Sequence, residues 1–279
     1  MRIRAQAKIN WTLDIIGRRE DGYHLMDMLM QPLALCDVLT LTEAPGLSME
    51  VSGAALSCGE DNLVMKAARK MAEISGRPAN LHITLEKHIP MGAGLGGGSA
   101  DAAAVLRMLN EYWHVGMTAN ELCAVGLTLG ADVPFCLMDK PMRAQGIGEV
   151  LTPISVRRCY PLLLIQPCGA LSTGEVFAGY HQCPPRRPDT EACIGALERG
   201  DLADMKRFGG NVLEAVSCAK RPALTAAKER LYQAGASFAQ MTGSGSVVFG
   251  AFEWDEAAEN ALRVLKKEYP VCLLTHTAV

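Results

Sequence analysis

Pro90-Met91-Gly92-Ala93-Gly94-Leu95-Gly96-Gly97-Gly98-Ser99-Ala100-Asp101-Ala102-Ala103-Ala104-Val105-Leu106 is the stretch on which the reading of this chain turns. Five of the seven residues 92–98 are glycine. Leu81, Ile83 and Leu85, alternating with His82, Thr84 and Glu86, form a strand-like run ahead of it, and an alanine-rich helical run leaves it. A loop so bare of side chains lets backbone N–H groups come close to an anion. The helix opening at Ser99 adds its free N–H groups and the positive end of its dipole, so the stretch reads as a phosphate cradle. The bland alternative is a flexible linker. Linkers, however, carry polar residues and rarely run straight into Ala-Ala-Ala-Val-Leu.

Two familiar phosphate loops fit poorly. A Walker A loop needs a Lys directly after its last glycine, and none follows here. Gly92-x-Gly94-x-x-Gly97 matches the dinucleotide fingerprint, which also wants an acidic residue at a strand end about twenty positions on. Residues 111–121 read instead as Glu111-Tyr112-Trp113-His114 and then a helix start.

The 279 residues are 49% hydrophobic and 20% charged, enough for two modest domains. A net charge of −3 argues against a general nucleic-acid or membrane-surface binder. No apolar run approaches the ~18 residues a membrane span needs. The opening Met1-Arg2-Ile3-Arg4-Ala5-Gln6 has no apolar core of a signal peptide. The ten cysteines lie singly, with no Cys-x-x-Cys pair, and are expected to be reduced, mostly buried thiols in a cytoplasm. A zinc site is not expected.

Taken in order, residues 2–16 read as a bent strand or strand pair. Within it Lys8 and Asn10 share one face; alone they would be a solvated edge lysine and a turn residue. Asp21-Gly22 marks a turn leading to Tyr23-His24, either a half-buried aromatic pair or a platform with a polar edge for a flat ring. Short strands are expected at 37–42 and 47–52. A helix is expected from Asp61, as its cap, to Ile74, closed by Gly76. The helix after Ser99 should run to about Asn110, and Thr118-Ala119-Asn120-Glu121 is a capping box opening another that stops at Gly130. Asp132, in Gly130-Ala131-Asp132-Val133-Pro134, is either a turn residue or a partly desolvated carboxylate.

Strands are expected at 146–152 and 160–167, with a domain boundary near 155, dividing the chain into 1–155 and 156–279. His181 to Thr190 reads as a loop. Helices are expected near 190–199, 211–219 and 222–234, strands at 237–241 and 246–252, a helix at 255–267 and a strand at 271–276. This is an α+β pattern. Thr242-Gly243-Ser244-Gly245-Ser246 is either a hairpin turn or a second backbone nest for an anion.

The 90–99 loop resembles the Pro-x-x-x-Gly-Leu-Gly-(Gly/Ser)-(Gly/Ser)-Ser motif of the GHMP kinases. Ala7-Lys8-Ile9-Asn10, Asp21-Gly22-Tyr23-His24, Glu60-Asp61-Asn62-Leu63, Gly130-Ala131-Asp132-Val133-Pro134 and Thr242-Gly243-Ser244-Gly245 extend the resemblance over nearly the whole chain, toward members whose alcohol substrate carries a cytosine. The resemblance implies a two-lobed α+β fold, with an N-terminal ribosomal-protein-S5-like domain, a C-terminal ferredoxin-like domain and the active site in the cleft between them. It implies that Lys8 and Asp132 are the catalytic pair. Asp132 would take the proton of a substrate 2-hydroxyl, with Lys8 orienting it. ATP would be held by Pro90, Met91, Gly92, Ala93, Gly94, Leu95, Gly96, Gly97, Gly98 and Ser99, with Asn62 near the adenine. Asn10, Tyr23, His24, Thr173, Phe177, Gly243 and Ser244 would line the substrate side, Tyr23 and Phe177 stacking on the base and His24 bonding its edge. Mg²⁺ would accompany ATP, with Ser99 its candidate ligand; the next position, often a second serine, is Ala100. Expected partners are small molecules only, with the chain a monomer or weak dimer. The alternatives are a GHMP kinase for mevalonate or homoserine, which offer no base to stack, a non-catalytic nucleotide sensor, and a dinucleotide oxidoreductase.

Overall fold

The structure is a computed structural model that describes residues 1–182 and 186–279. Two long strands come first, β1 (Arg2–Arg18) and β2 (His24–Glu43). Residues 2–16 thus belong to one continuous strand. The stretch 37–42 is the far end of β2, whose alternation already begins at buried Met26 and Met28. Both strands contribute to each of two compact units, which interleave along the chain.

The first unit comprises residues 1–7, 35–89 and 96–139. Its sheet joins the second half of β2 to β3 (Ser48–Ser52) and β4 (Leu81–Glu86). β4 runs antiparallel to β2, from Val38↔Glu86 to Glu43↔Leu81, and parallel to β3. Four helices complete the unit: α1 (Leu63–Ser75), α2 (Gly97–Tyr112), α3 (Ala119–Leu129) and α4 (Val133–Met138). α1 buries Val64, Ala67, Ala68 and Met71, the apolar stripe that its spacing foretells. Its N-cap is Asn62 rather than Asp61. The Asn62 side chain accepts from Val64 N–H, while Asp61 accepts the Ser57 hydroxyl. α2 starts at Gly97, two residues before Ser99, because Gly96 takes the left-handed conformation that turns the chain into it. The Thr118–Glu121 capping box forms as read.

The second unit comprises residues 8–34, 90–95 and 140–279. β5 (Met142–Gly146) and β6 (Val150–Pro153) form a hairpin on the first half of β2. The expected strand 146–152 is therefore displaced: 147–149 is the turn, where Glu149 accepts the Ile147 N–H at 2.6 Å. A separate antiparallel sheet has the order β11-β7-β10-β9, from β7 (Pro161–Gln166), β9 (Phe238–Met241), β10 (Val248–Ala251) and β11 (Val271–His276). Around it lie α5 (Thr173–Gly179), α6 (Thr190–Arg199), α7 (Leu202–Phe208), α8 (Glu214–Lys220), α9 (Ala223–Gln233) and α10 (Asp255–Leu265). β8 (Gly210–Asn211) pairs parallel with β1, so the helix expected from 211 starts at Glu214. The loop read at 181–190 includes 183–185, outside the described residues. Tyr180–Gln182 is a 3-10 turn, and α6 begins at Thr190.

Trp11 anchors this unit's core. It is fully buried, meets the rings of Tyr160, Phe238 and Phe249 at 5.5–6.1 Å, and its indole N–H donates to Gln31 Oε1 at 2.7 Å.

Candidate active site

Lys8 and Asn10 do lie on one face of β1, but neither is a surface residue: they are 3% and 1% exposed. A buried ammonium needs acceptors, and Lys8 Nζ donates to Asn10 Oδ1 at 2.9 Å. The same oxygen accepts the Gly243 N–H at 3.1 Å. Thr242 completes the knot. Its hydroxyl accepts the Asn10 N–H at 3.1 Å and lies 3.3 Å from the Gly94 carbonyl. Asn10 thus ties the candidate catalytic lysine to the turn 242–245.

That turn joins β9 to β10 and packs directly on the first half of the 90–99 loop. Lys8 N–H donates to Leu95 O at 2.9 Å, and Val247 N–H donates to Ala93 O at 3.1 Å. Backbone meets backbone so closely at Gly94 that a Cβ there would stand 2.1 Å from the Thr242 carbonyl, and Gly94 has φ +76°. Residues 90–95 and the turn 242–245 are therefore one structural feature within the second unit, not two independent loops. Asn211 fixes the turn from the other side, donating to the Met241 and Gly243 carbonyls at 2.9 and 2.7 Å. Thr173 and Ser244 hydroxyls meet at 2.9 Å, bringing those two expected substrate-side residues together.

The rings gather partly as expected. His24 stacks near Phe177 at 5.3 Å with a 31° interplanar angle, and Tyr180 meets His24 edge-on at 5.3 Å. Tyr23, 60% exposed, leaves the turn in which its N–H donates to Asp21. Burial and the charges of Arg18 and His181 lower the His24 pKa, so its imidazole is neutral near pH 7 and offers one donor and one acceptor.

The remaining site residues belong to the first unit. Asp132 occupies the N-cap position of α4, yet its carboxylate makes no capping bond to the helix. Ser99, in the first turn of α2, sits beside the turn before Asp132: a Cβ on Gly130 would lie 3.9 Å from the Ser99 hydroxyl. Asn62 spends both ends of its amide locally, on Val64 N–H at 2.9 Å and Ser57 O at 2.7 Å. Among the described residues no cluster of three His, Cys, Asp or Glu is placed to cage a metal ion.

A buried ionic cluster beneath α2 escaped the sequence reading. Lys87 Nζ donates to Asp37 and, at 2.8 Å, to Asp101. The other Asp37 oxygen accepts the His88 and Ile89 N–H groups at 2.6 and 2.8 Å. Strand β4, the end of β2 and the first turns of α2 are thereby pinned where the chain enters and leaves the glycine loop. Two carboxylates share one ammonium out of water. Burial raises the Asp101 pKa to about 7, Lys87 opposing and Asp37 adding to the rise. Burial lowers that of Lys87, but the two aspartates more than reverse this and raise it. Asp101 Oδ1 is buried without a partner, the place for such a proton. The signal was present as Asp101 inside an alanine run and Lys87 at a strand end, each unremarkable alone. Asn211 and Tyr180 were also missed, although Tyr180 lies one helical turn from Phe177.

Strand, glycine loop, helix and a second glycine turn buttressed by a buried Lys–Asn pair are the features of a GHMP kinase. The family model "GHMP kinases N terminal domain" matches residues 62–140, and the family model "GHMP kinases C terminal" matches 193–271. The chain is 40% identical to a "4-diphosphocytidyl-2-C-methyl-D-erythritol kinase" of Moorella thermoacetica, over 98% of this chain and 97% of that relative. It is likewise 40% identical to the protein of that name from Pelotomaculum thermopropionicum, over 98% and 96%. A crystal structure of a "4-(cytidine 5'-diphospho)-2C-methyl-D-erythritol kinase" superposes over the whole of both chains with TM-score 0.87 and 33% identity. The mevalonate kinase of L. major, at 14% identity and TM-score 0.73 over 99% of this chain and 95% of that one, shares the fold. The chain belongs to the 4-diphosphocytidyl-2-C-methyl-D-erythritol kinase family of GHMP kinases.

Proposed function

We propose that the protein transfers the γ-phosphoryl group of ATP to the 2-hydroxyl of 4-diphosphocytidyl-2-C-methyl-D-erythritol, giving the 2-phosphate and ADP, in the non-mevalonate (methylerythritol phosphate) route to isoprenoid precursors. The observation that carries this reading is the knot in which Asn10 holds Lys8 Nζ at 2.9 Å and Gly243 N–H at 3.1 Å. The knot ties a buried ammonium to the turn 242–245, which packs on the glycine-rich residues 90–95. Phosphoryl transfer asks mainly for alignment and charge stabilisation, which such a preorganised site supplies. Residues 90–99 hold the triphosphate through backbone N–H groups, and Asn62 lies at the adenine end. Asp132 accepts the hydroxyl proton and Lys8 steadies charge as it moves. Neutral His24, with Phe177, Tyr23 and Tyr180, takes the cytosine by stacking and by donor–acceptor pairing with its edge. Neither mevalonate nor homoserine has a group for those rings. Thr173, Gly243 and Ser244 line the substrate side.

Mg²⁺ fits as a companion of ATP rather than as a resident ion, since it keeps several waters and binds through phosphates. The Ser99 hydroxyl would share it, and the bound ion would neutralise phosphate charge. We further propose functional lobes 1–155 and 156–279, a cytoplasmic location, and a monomer or weak dimer.

The test is ATP turnover with the cytidyl substrate against mevalonate and homoserine. Turnover should be confined to the first. Asp132→Asn should lower kcat by roughly 10²–10⁴-fold while ATP and substrate affinities stay within a fewfold. Near-full kcat in a folded Asp132→Asn variant would remove Asp132 as the base.

A further inference from the structure

Between α7, α8, α9 and β9, in the second unit, lies a cavity of about 330 Å³, near the small end of ligand pockets. Three cationic side chains line it, Arg186, Lys206 and Lys228, against a single carboxylate, Glu214. That carboxylate is already engaged twice: it pairs with Lys228 and accepts the Met241 N–H at 2.9 Å. Arg186 donates to the Arg207 carbonyl. Lys206 is held 4.5 Å above the Tyr232 ring. Among the described residues neither Arg186 nor Lys206 has a carboxylate within ion-pair distance. The cavity therefore carries about two uncompensated positive charges. Its wall is fixed in advance. Asn211 and Glu214 are bound to the backbone around β9, and the Tyr232 hydroxyl to Ala239.

We propose that this cavity is a second ligand site, binding a small phosphorylated metabolite by its phosphate group. Three cations reach the cavity from separate segments: Arg186 ahead of α6, Lys206 on α7 and Lys228 on α9. That spread suits a tetrahedral dianion better than a planar carboxylate. A guanidinium gives two parallel N–H donors to phosphate oxygens, while the ammoniums act as point charges. The Tyr232 face offers a surface for the organic portion of the ligand. None of the residues proposed for ATP or the cytidyl substrate lines this cavity.

The probe is inorganic phosphate, titrated calorimetrically into the full chain saturated with a non-hydrolysable ATP analogue, so that the glycine loops are filled. One site per chain with a dissociation constant of about 1 mM or tighter is expected. Arg186→Gln/Lys206→Gln should weaken it at least about tenfold, whereas Lys266→Gln, an exposed lysine elsewhere, should not. Both altered residues are exposed, so the fold is retained, and circular dichroism verifies it. Acetate in place of phosphate should bind far more weakly. Phosphate binding unchanged in the double variant, no saturable binding up to about 10 mM, or acetate binding as tightly as phosphate would each overturn the proposal.

Discussion

At the scale of single residues, Asp101 has the largest consequence for pH behaviour. Its pKa is raised from 3.8 to about 7, chiefly by burial. A group whose pKa is raised on folding contributes stability that is complete below the unfolded value and is lost as pH rises through the folded value. The Asp101 contribution is thus full near pH 4 and fades around pH 7. Lys87, also raised, holds its contribution until far more alkaline pH. Asp101→Asn is neutral throughout, so it should match the wild type near pH 4, gain on it steadily as pH rises, and hold a constant advantage above about pH 7. The limiting slope of the difference is about 1.4 kcal/mol per pH unit. Urea unfolding of both proteins between about pH 5 and 8 measures it, and parallel profiles would clear Asp101 as the titrating group. A second residue-scale prediction separates fold from ligand in the glycine loop. Gly94→Ala forces a Cβ to 2.1 Å from the Thr242 carbonyl at positive φ, whereas at Gly98 the nearest atom, Leu63 Cδ1, is 3.6 Å away. Gly94→Ala should cost roughly 2–5 kcal/mol, and Gly98→Ala should be neutral or stabilise by up to about 1 kcal/mol. Equal melting temperatures for the two variants would mean that the loop's glycines serve only the nucleotide.

At the scale of elements, much was legible because it is local. The Thr118–Glu121 box, the alternation of β4 and the stripe of α1 each follow from residues a few positions apart. What stayed hidden was either too short for a period to show, as with seven-residue α5 and α7, or set by distant partners. β2 reads as a strand of 20 residues only once β4 and β5 are known to pair with its two halves. Asn62 shows how a local element and the site share one side chain. Its oxygen caps α1 and its amide N–H donates to Ser57 O, so loss of the residue is first a loss of helix start. Asn62→Ala should lower stability by about 1 kcal/mol, and Asn62→Asp, which keeps the capping oxygen, should recover most of it. If Asn62→Asp recovers the melting temperature but not the affinity for ATP, the amide also serves the nucleotide. If both recover together, capping explains the residue completely.

At the scale of the whole molecule, the site's parts lie far apart in the chain. The knot joins residues 8–10 to 242–243, across more than 230 positions, and no local pattern announces it. The resemblance of motifs named Lys8, Asn10 and the turn; only the fold explains why they need one another. The cysteines pose a similar whole-chain question. Their single spacing suggested mostly buried, reduced thiols; the nine described cysteines are all free, but three of them are buried, four half-buried and two, Cys58 and Cys159, exposed, so most are not buried. Burial pushes the Cys193 thiol up to about 12 and that of Cys272 up to about 11. Only a thiolate attacks an alkylating or disulfide reagent, so access and pKa act together at these two positions. Residue-resolved iodoacetamide labelling at neutral pH should therefore modify Cys58 and Cys159 first. Cys193 and Cys272 should label only at the rate of global or local unfolding, and raising pH by one unit should not speed them by the tenfold expected for a thiol titrating in free solution. If Cys193 labels as fast as Cys58 in the native protein, α6 opens to solvent far more often than its packing allows. Protection of Cys58 that reductant removes would instead mean that this thiol is oxidised in solution.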